Sequence, residues 1–238
     1  MRTRPHWAGE LLVLVGLLFV YDLVAGLAKV RPGIAYDHGH HLLSLSPGGL
    51  EKAADHWLAG VTWLHAPAAY YYDLAHIDVT VAVLLACWFL RPAVYRRART
   101  ALVTVNVVGL VVFLLYPAAP PRLLPDGGFV DIVATSGTWG AWEAGGAVGD
   151  HANEFGSLPS LHAAWAVWVA LAVAAMTTRR LWRVLAWAHV VTTFVVVVVT
   201  GNHYLVDVVA GTVVVALAWS VAPALAVRRV PALAAVTD

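Results

Sequence analysis

"FVVVVVTGNHYLVDVVAGTVVVALAW", Phe194–Trp219, is the stretch that decides the fold of this 238-residue chain. Two long apolar runs meet at a short polar turn, Thr200–His203, and the second run carries one charge, Asp207. The strands of a lipid-facing barrel would alternate polar and apolar side chains; neither run does. The first run extends back to Leu181 and the second on to Val227. Each thus reaches the roughly 20 mostly apolar residues that a bilayer-crossing helix needs. A backbone in lipid must satisfy its own hydrogen bonds, which a helix does. The stretch predicts two membrane helices, Leu181–Thr200 and Tyr204–Val227, with a histidine at the mouth of the second.

The composition extends this reading to the whole chain. It is 61% apolar and 12% charged, against about 25% charged in ordinary soluble domains. One soluble core cannot hide that excess, so it must face lipid. Four further runs read as spans: Leu11–Val30, Ala68–Leu90, Ala101–Tyr116 and Pro159–Met176. The expectation is an all-α, polytopic membrane protein with six transmembrane helices, one domain over residues 1–238, and its chemistry within 117–211. The first run is too long for a signal-peptide core and lacks a clear cleavage pattern, so a retained anchor is expected. The single Cys87 excludes an internal disulfide. A net charge of +1 gives no reason to expect nucleic acid. Thirteen arginines against two lysines fit a high-GC bacterial genome, and so a bacterial plasma membrane.

Basic residues set the orientation, because cytoplasmic loops collect them. Arg2, Arg4, Arg91, Arg96, Arg97, Arg99, Arg179, Arg180, Arg183, Arg228 and Arg229 fall on one side of the six spans. Lys29, Arg31, Lys52 and Arg122 fall on the other. Both termini are therefore expected in the cytoplasm. The segments 31–67 and 117–158 and the turn Gly201–His203 are expected outside. In the first outer segment Leu50, Ala54, Trp57, Leu58 and Val61 recur at helical spacing, with Glu51, Lys52 and Asp55 elsewhere. That pattern predicts an amphipathic helix lying on the membrane surface. The second outer segment is rich in Gly and Pro, and sets Asp126, Asp131, Glu143, Asp150 and Glu154 against one cation, Arg122. A long irregular loop in a compact protein is usually functional.

Three pieces of this outer face carry chemistry. His203 and Asp207 are four apart and share a helix face. A carboxylate there can accept the Nδ1–H and leave Nε2 free to attack, the orienting arrangement of a nucleophilic site. A structural pair closing a helix end meets the same description. In "PSLH", Pro159 can open a helix whose first N–H groups, at Ser160, Leu161 and His162, lack partners at the positive end of the dipole. Ser160 adds a hydroxyl, and His162 stands where it could protonate a leaving oxygen. A capping serine and an interfacial histidine would look alike. Arg122 in "PAAPPRLLP" could bind phosphate oxygens by two parallel hydrogen bonds, or anchor at lipid headgroups. Together they supply a cation, an anion nest, an acid and an oriented nucleophile, a set suited to phosphoryl transfer through a covalent phosphohistidine.

With "YPAAPPRLLP", "ANEFGSLPSLHAAW" and "TGNHYLVDVVAG" in this order, the chain resembles the type-2 phosphatidic acid phosphatase (PAP2) superfamily, most closely its branch related to inositol phosphorylceramide synthases. The resemblance implies that His203 is the nucleophile, Asp207 its partner and His162 the general acid. It implies phosphate contacts for Arg122, Ser160 and the amide of Leu161, and no metal ion or other cofactor. Three positions depart from the superfamily pattern. Leu161 stands where glycine is usual, and Val197 where an arginine precedes the nucleophile. Only Arg122 is evident where a lysine and an arginine are usual. The branch named tolerates these changes.

The expected activity is cleavage of a membrane lipid phosphate or diphosphate at the outer face. Water as acceptor makes a phosphatase, an alcohol makes a phosphotransferase. A lipid transporter retaining the scaffold is the reading of another class. Asn153 and Glu154 are candidates to orient the acceptor, or belong to a solvated loop. Weaker signals are "YDHGHH" (Asp37, His38, His40 and His41), whose spacing fits no strong metal motif, and Tyr70–Tyr72, an interfacial belt. His65, His76 and His189 read as interfacial or packed.

Overall fold

The hairpin at Phe194–Trp219 is two helices in the computed structural model, which describes residues 6–136 and 153–227. Glu143, Asp150 and the terminal arginines Arg2, Arg4, Arg228 and Arg229 lie outside those residues. In chain order the helices are α1 (Trp7–Lys29), α2 (Pro32–Leu45), α3 (Gly48–Ala59), α4 (His65–Tyr70), α5 (His76–Leu90), α6 (Pro92–Leu115), α7 (Ile132–Thr135), α8 (Leu161–Met176), α9 (Arg180–Val199) and α10 (Leu205–Val227). A π turn, Tyr71–Ala75, joins α4 to α5 in one continuous helix, Thr62–Leu90. Among the described residues all regular structure is helical.

Among the described residues five helices are long and apolar enough to cross a membrane: Trp7–Lys29, Thr62–Leu90, Pro92–Leu115, Arg180–Val199 and Leu205–Leu225. The remaining expected span, Pro159–Met176, is the shorter α8. Its 16 residues cover about 24 Å, short of the ~30 Å hydrocarbon core. The helix begins only after Pro159, with Ser160 as its N-cap. It is central: α5, α6, α9 and α10 all pack on it. Protein, rather than lipid, surrounds most of α8.

Small residues allow this packing. Ala164, Ala166, Ala170 and Ala172 of α8 meet Ala98 and Ala101 of α6 and Ala218 and Ala222 of α10 in one buried cluster. Such residues let membrane helices approach closely. Trp168 fills the centre, and its indole N–H donates to the Ala98 carbonyl at 2.7 Å. Closest of all is Gly211, where an added Cβ would collide with the Ser160 carbonyl oxygen. A backbone atom cannot turn aside, so Gly211→Ala must push α10 off the start of α8. Overpacking costs about 1–3 kcal/mol. A clear drop in Tm in detergent is expected, with loss of activity; an unchanged Tm would show that the contact is not this tight.

The structure adds detail to three readings. The helix that holds the expected third span starts at Pro92, ahead of Ala101, because Pro is well suited to the first helical position and the arginines after it are held by the protein. Arg99 grips Glu10 of α1 at 2.6 and 2.8 Å, and the Tyr95 hydroxyl donates to the same carboxylate. The "YDHGHH" stretch is part of α2. There the His38 ring stacks on Tyr116 and donates to the Pro117 carbonyl, while His41 bonds the Tyr116 hydroxyl. Lastly, α3 forms where the amphipathic helix was expected, with Leu50 and Trp57 on an open side as lipid contact would require, but two acids from its polar side are turned into the protein. Leu50 and Trp57 are 64% and 58% exposed, whereas Glu51 and Asp55 are buried. The physical reason is what α3 packs against: its partners offer backbone N–H donors, which draw carboxylates inward.

Candidate active site

The loop between α9 and α10 is built around backbone needs. Gly201 takes a positive φ of 64°, open to glycine but unfavourable for most other residues. The chain then doubles back, and the N–H groups of Asn202 and His203 both donate to the Val197 carbonyl at the end of α9. Val197, at the position of the superfamily arginine, is itself buried. On the far side, Asp207 in the first turn of α10 reaches back to the Tyr204 N–H at 2.9 Å, the reciprocal half of a capping box. His203 is thus held from both sides and is almost wholly buried.

The orientation of the imidazole follows from its partners. Its Nδ1 lies 3.0 Å from the Ser157 carbonyl oxygen. A carbonyl only accepts, so Nδ1 carries the hydrogen, and in the neutral ring Nε2 holds the lone pair. The expected partner, Asp207, is farther, with Oδ2 at 3.5 Å from Nδ1. That oxygen instead accepts from the Ser157 hydroxyl and the Tyr204 N–H. Asp207 therefore reaches His203 mainly through Ser157 and the helix cap, with its charge close by. Ser157 was not singled out in the sequence; a serine in a polar loop carries no signal of its own.

The Nε2 of His203 points at Nδ1 of His162, 3.4 Å away. His162 sits at the start of α8 in an aromatic nest: Tyr72 stacks on it at 4.3 Å, and His76 lies at 4.1 Å. Tyr72 belongs to the π turn, a feature that often marks functional sites. The sequence assigned Tyr72 to an interfacial belt and His76 to packing, because a π turn cannot be read from residue spacing.

Arg122 is buried and doubly held. Its Nε donates to the Asn202 side chain and its Nη1 to Asp131, both at 2.8 Å. Its own N–H donates to the Gly201 carbonyl. The cation is thereby fixed to the loop that carries His203. Ser160 lies deeper, fully buried, with its Oγ accepting from the Ala163 N–H at 3.2 Å. Its N–H is not open to an anion, because it donates to the Asp207 carbonyl. The donors left at this helix end are the N–H groups of Leu161 and His162, which have no intrahelical acceptor. The Leu161 side chain turns the other way, against Gly109 of α6.

A narrow cleft of about 30 Å³ runs between Arg122 and His203. Tyr72, Pro120, Arg122, Asn153, Glu154, Gly156, Ser157, Asn202 and His203 line it. That is the space of about one water, so a phosphate group must widen the cleft to enter. Asn153 and Glu154 are brought to its wall. Both polar atoms of the Asn153 amide are buried with no partner among the described residues, an arrangement that invites a ligand or water.

No curated protein and no solved structure matches the chain. The PAP2 superfamily model matches residues 48–221, from the start of α3 into α10 and across every residue of this cleft, and the chain belongs to that superfamily.

Proposed function

We propose that the protein is a lipid phosphatase of the outer membrane face, cleaving a lipid phosphate or diphosphate through phosphohistidine at His203. Superfamily membership suggests phosphatase or phosphotransferase chemistry. The observation that carries the finer reading is the fixed tautomer of His203: Nδ1–H on the Ser157 carbonyl, Nε2 facing His162 beside Arg122. The split of basic residues supports the orientation, and the positions of Leu161 and Val197 support the branch related to inositol phosphorylceramide synthases.

In the first half-reaction Nε2 attacks phosphorus, the N–P bond forms and the P–O bond to the leaving group breaks. His162 gives its proton to the departing oxygen. In the second, an acceptor hydroxyl returns a proton to His162 and attacks phosphorus, and the N–P bond breaks. An in-line path needs ~3 Å from nucleophile to phosphorus and ~3 Å from the leaving oxygen to the acid. The 3.4 Å between the two rings is too short to hold both, so substrate must part them. Arg122 and the amides of Leu161 and His162 then stabilise the equatorial oxygens.

The orphan amide of Asn153 favours a second reading. It offers a donor and an acceptor to a hydroxyl, and an alcohol in that place makes the enzyme a phosphotransferase. Both readings predict labelled phosphate trapped on the protein, stable in base and labile in acid as an N–P bond is. A transporter would trap none. Products formed from one donor with and without inositol then separate water from alcohol as acceptor.

A further inference from the structure

Two carboxylates of α3 are used nowhere in this mechanism. Glu51 is 1% and Asp55 0% exposed, and at a spacing of four they share one helix face. Burying a carboxylate is costly unless hydrogen bonds repay it. Glu51 Oε1 accepts from the Leu205 N–H, the first helical N–H of α10. That donor lies two residues beyond His203. Asp55 Oδ2 accepts from the Val130 N–H at 2.8 Å, beside Asp131, which grips Arg122. Asp55 Oδ1 also stands 3.2 Å from where a Cβ on Gly201 would be. One face of α3 thus reaches both sides of the cleft. Burial holds both carboxyls above the usual carboxylate range, so an uncharged acceptor can stand in for either.

Resting on the phosphohistidine reading, we propose that Glu51 is a positioning residue for His203, its side-chain oxygen pinning the first turn of α10 and so aiming Nε2 at the substrate. Asp55, one turn on, holds the Arg122 side in register. The hydrogen bond, not the charge, is the working part.

The test removes the bond from each end. Glu51→Ala deletes the acceptor. Leu205→Pro deletes the donor at the first helical position, where proline is tolerated. Each is expected to lower kcat about ten- to a hundredfold, since small misplacements of reacting groups cost that much, with KM changed less than about twofold. The double variant should be no worse than either single one. Glu51→Gln keeps the acceptor and should stay within about threefold of wild type. Equal losses in Glu51→Gln and Glu51→Ala would overturn the proposal, as would additive losses in the double variant or wild-type kcat in Leu205→Pro. If Glu51→Ala does not fold, Glu51→Gln and Leu205→Pro decide the matter, one retaining rate and the other losing it. Labelled phosphate is trapped in parallel on wild type and His203→Ala. Label that persists in His203→Ala refutes the underlying mechanism. Label lost there, with Leu205→Pro at full rate, refutes only the role of Glu51.

Discussion

His203→Ala is expected to abolish turnover, by about 10⁴-fold or more, and to leave no trapped phosphate on the protein. Losing the attacking nitrogen removes the covalent route itself. The fold should survive, because the loop is held by backbone groups: the N–H groups at 202 and 203 on the Val197 carbonyl, and the Tyr204 N–H on Asp207. Tm in detergent checks this. Asp207→Asn is the informative comparison. Because Nδ1–H is held by the Ser157 carbonyl, the imidazole keeps its tautomer when the charge is lost. The variant should therefore retain weak activity, well above that of His203→Ala. It still weakens the bond to the Ser157 hydroxyl and the cap at Tyr204, so some loss is expected. Turnover in His203→Ala close to wild type would refute the covalent mechanism. Activities equal in the two variants would mean that Asp207, not the carbonyl, orients the ring.

What could be read in advance, and what could not, follows from the range of each interaction. The helices of Phe194–Trp219 were legible because lipid imposes one solution on a long apolar run. The site histidines were legible because each lies beside a local signal: a helix mouth, or a carboxylate one turn away. Ser157, Asn202, Tyr72 and His76 were not, since their roles depend on contacts across the chain. Ser157 meets His203 from 46 positions away, and Tyr72 meets His162 only because a π turn rotates it there. The burial of Glu51 and Asp55 in α3 has a sharper cause. A hydrophobic pattern reports which face avoids water, on the premise that the buried side is apolar. Here the buried side offers unpaired N–H groups at Leu205 and Val130, and the premise fails at Glu51 and Asp55. Likewise α6 begins at Pro92, ahead of the apolar run that starts at Ala101, and Arg99 in that extension is paired with Glu10.

Arg122→Ala is expected to lower kcat/KM by about 10²–10³-fold, the range for removing one donor to developing charge. The argument rests on how the guanidinium is held. Nε on Asn202 and Nη1 on Asp131 fix its plane, and its backbone N–H ties it to the turn that carries His203. The cation and the nucleophile therefore sit in one frame, with no reorganisation needed as charge builds up. Arg122→Lys keeps the charge but cannot reproduce the two-point hold, so it should recover little of the loss. Arg122 is buried and Asp131 partly exposed, so the variant leaves the buried Asn202 oxygen without its donor and Tm should fall by the cost of one unmade hydrogen bond. Vanadate gives an independent reading. It can take five-coordinate geometry and so mimics the transition state with His203 at an apex. If Arg122 contacts the transferring group, Arg122→Ala must weaken vanadate inhibition along with turnover, because one contact serves both. The titration is run in excess chelator, where wild type is expected to remain active. Turnover lost with vanadate affinity intact would make Arg122 a strut for the loop rather than a phosphate contact. Activity lost on chelation and restored by a divalent ion would overturn a metal-free reaction.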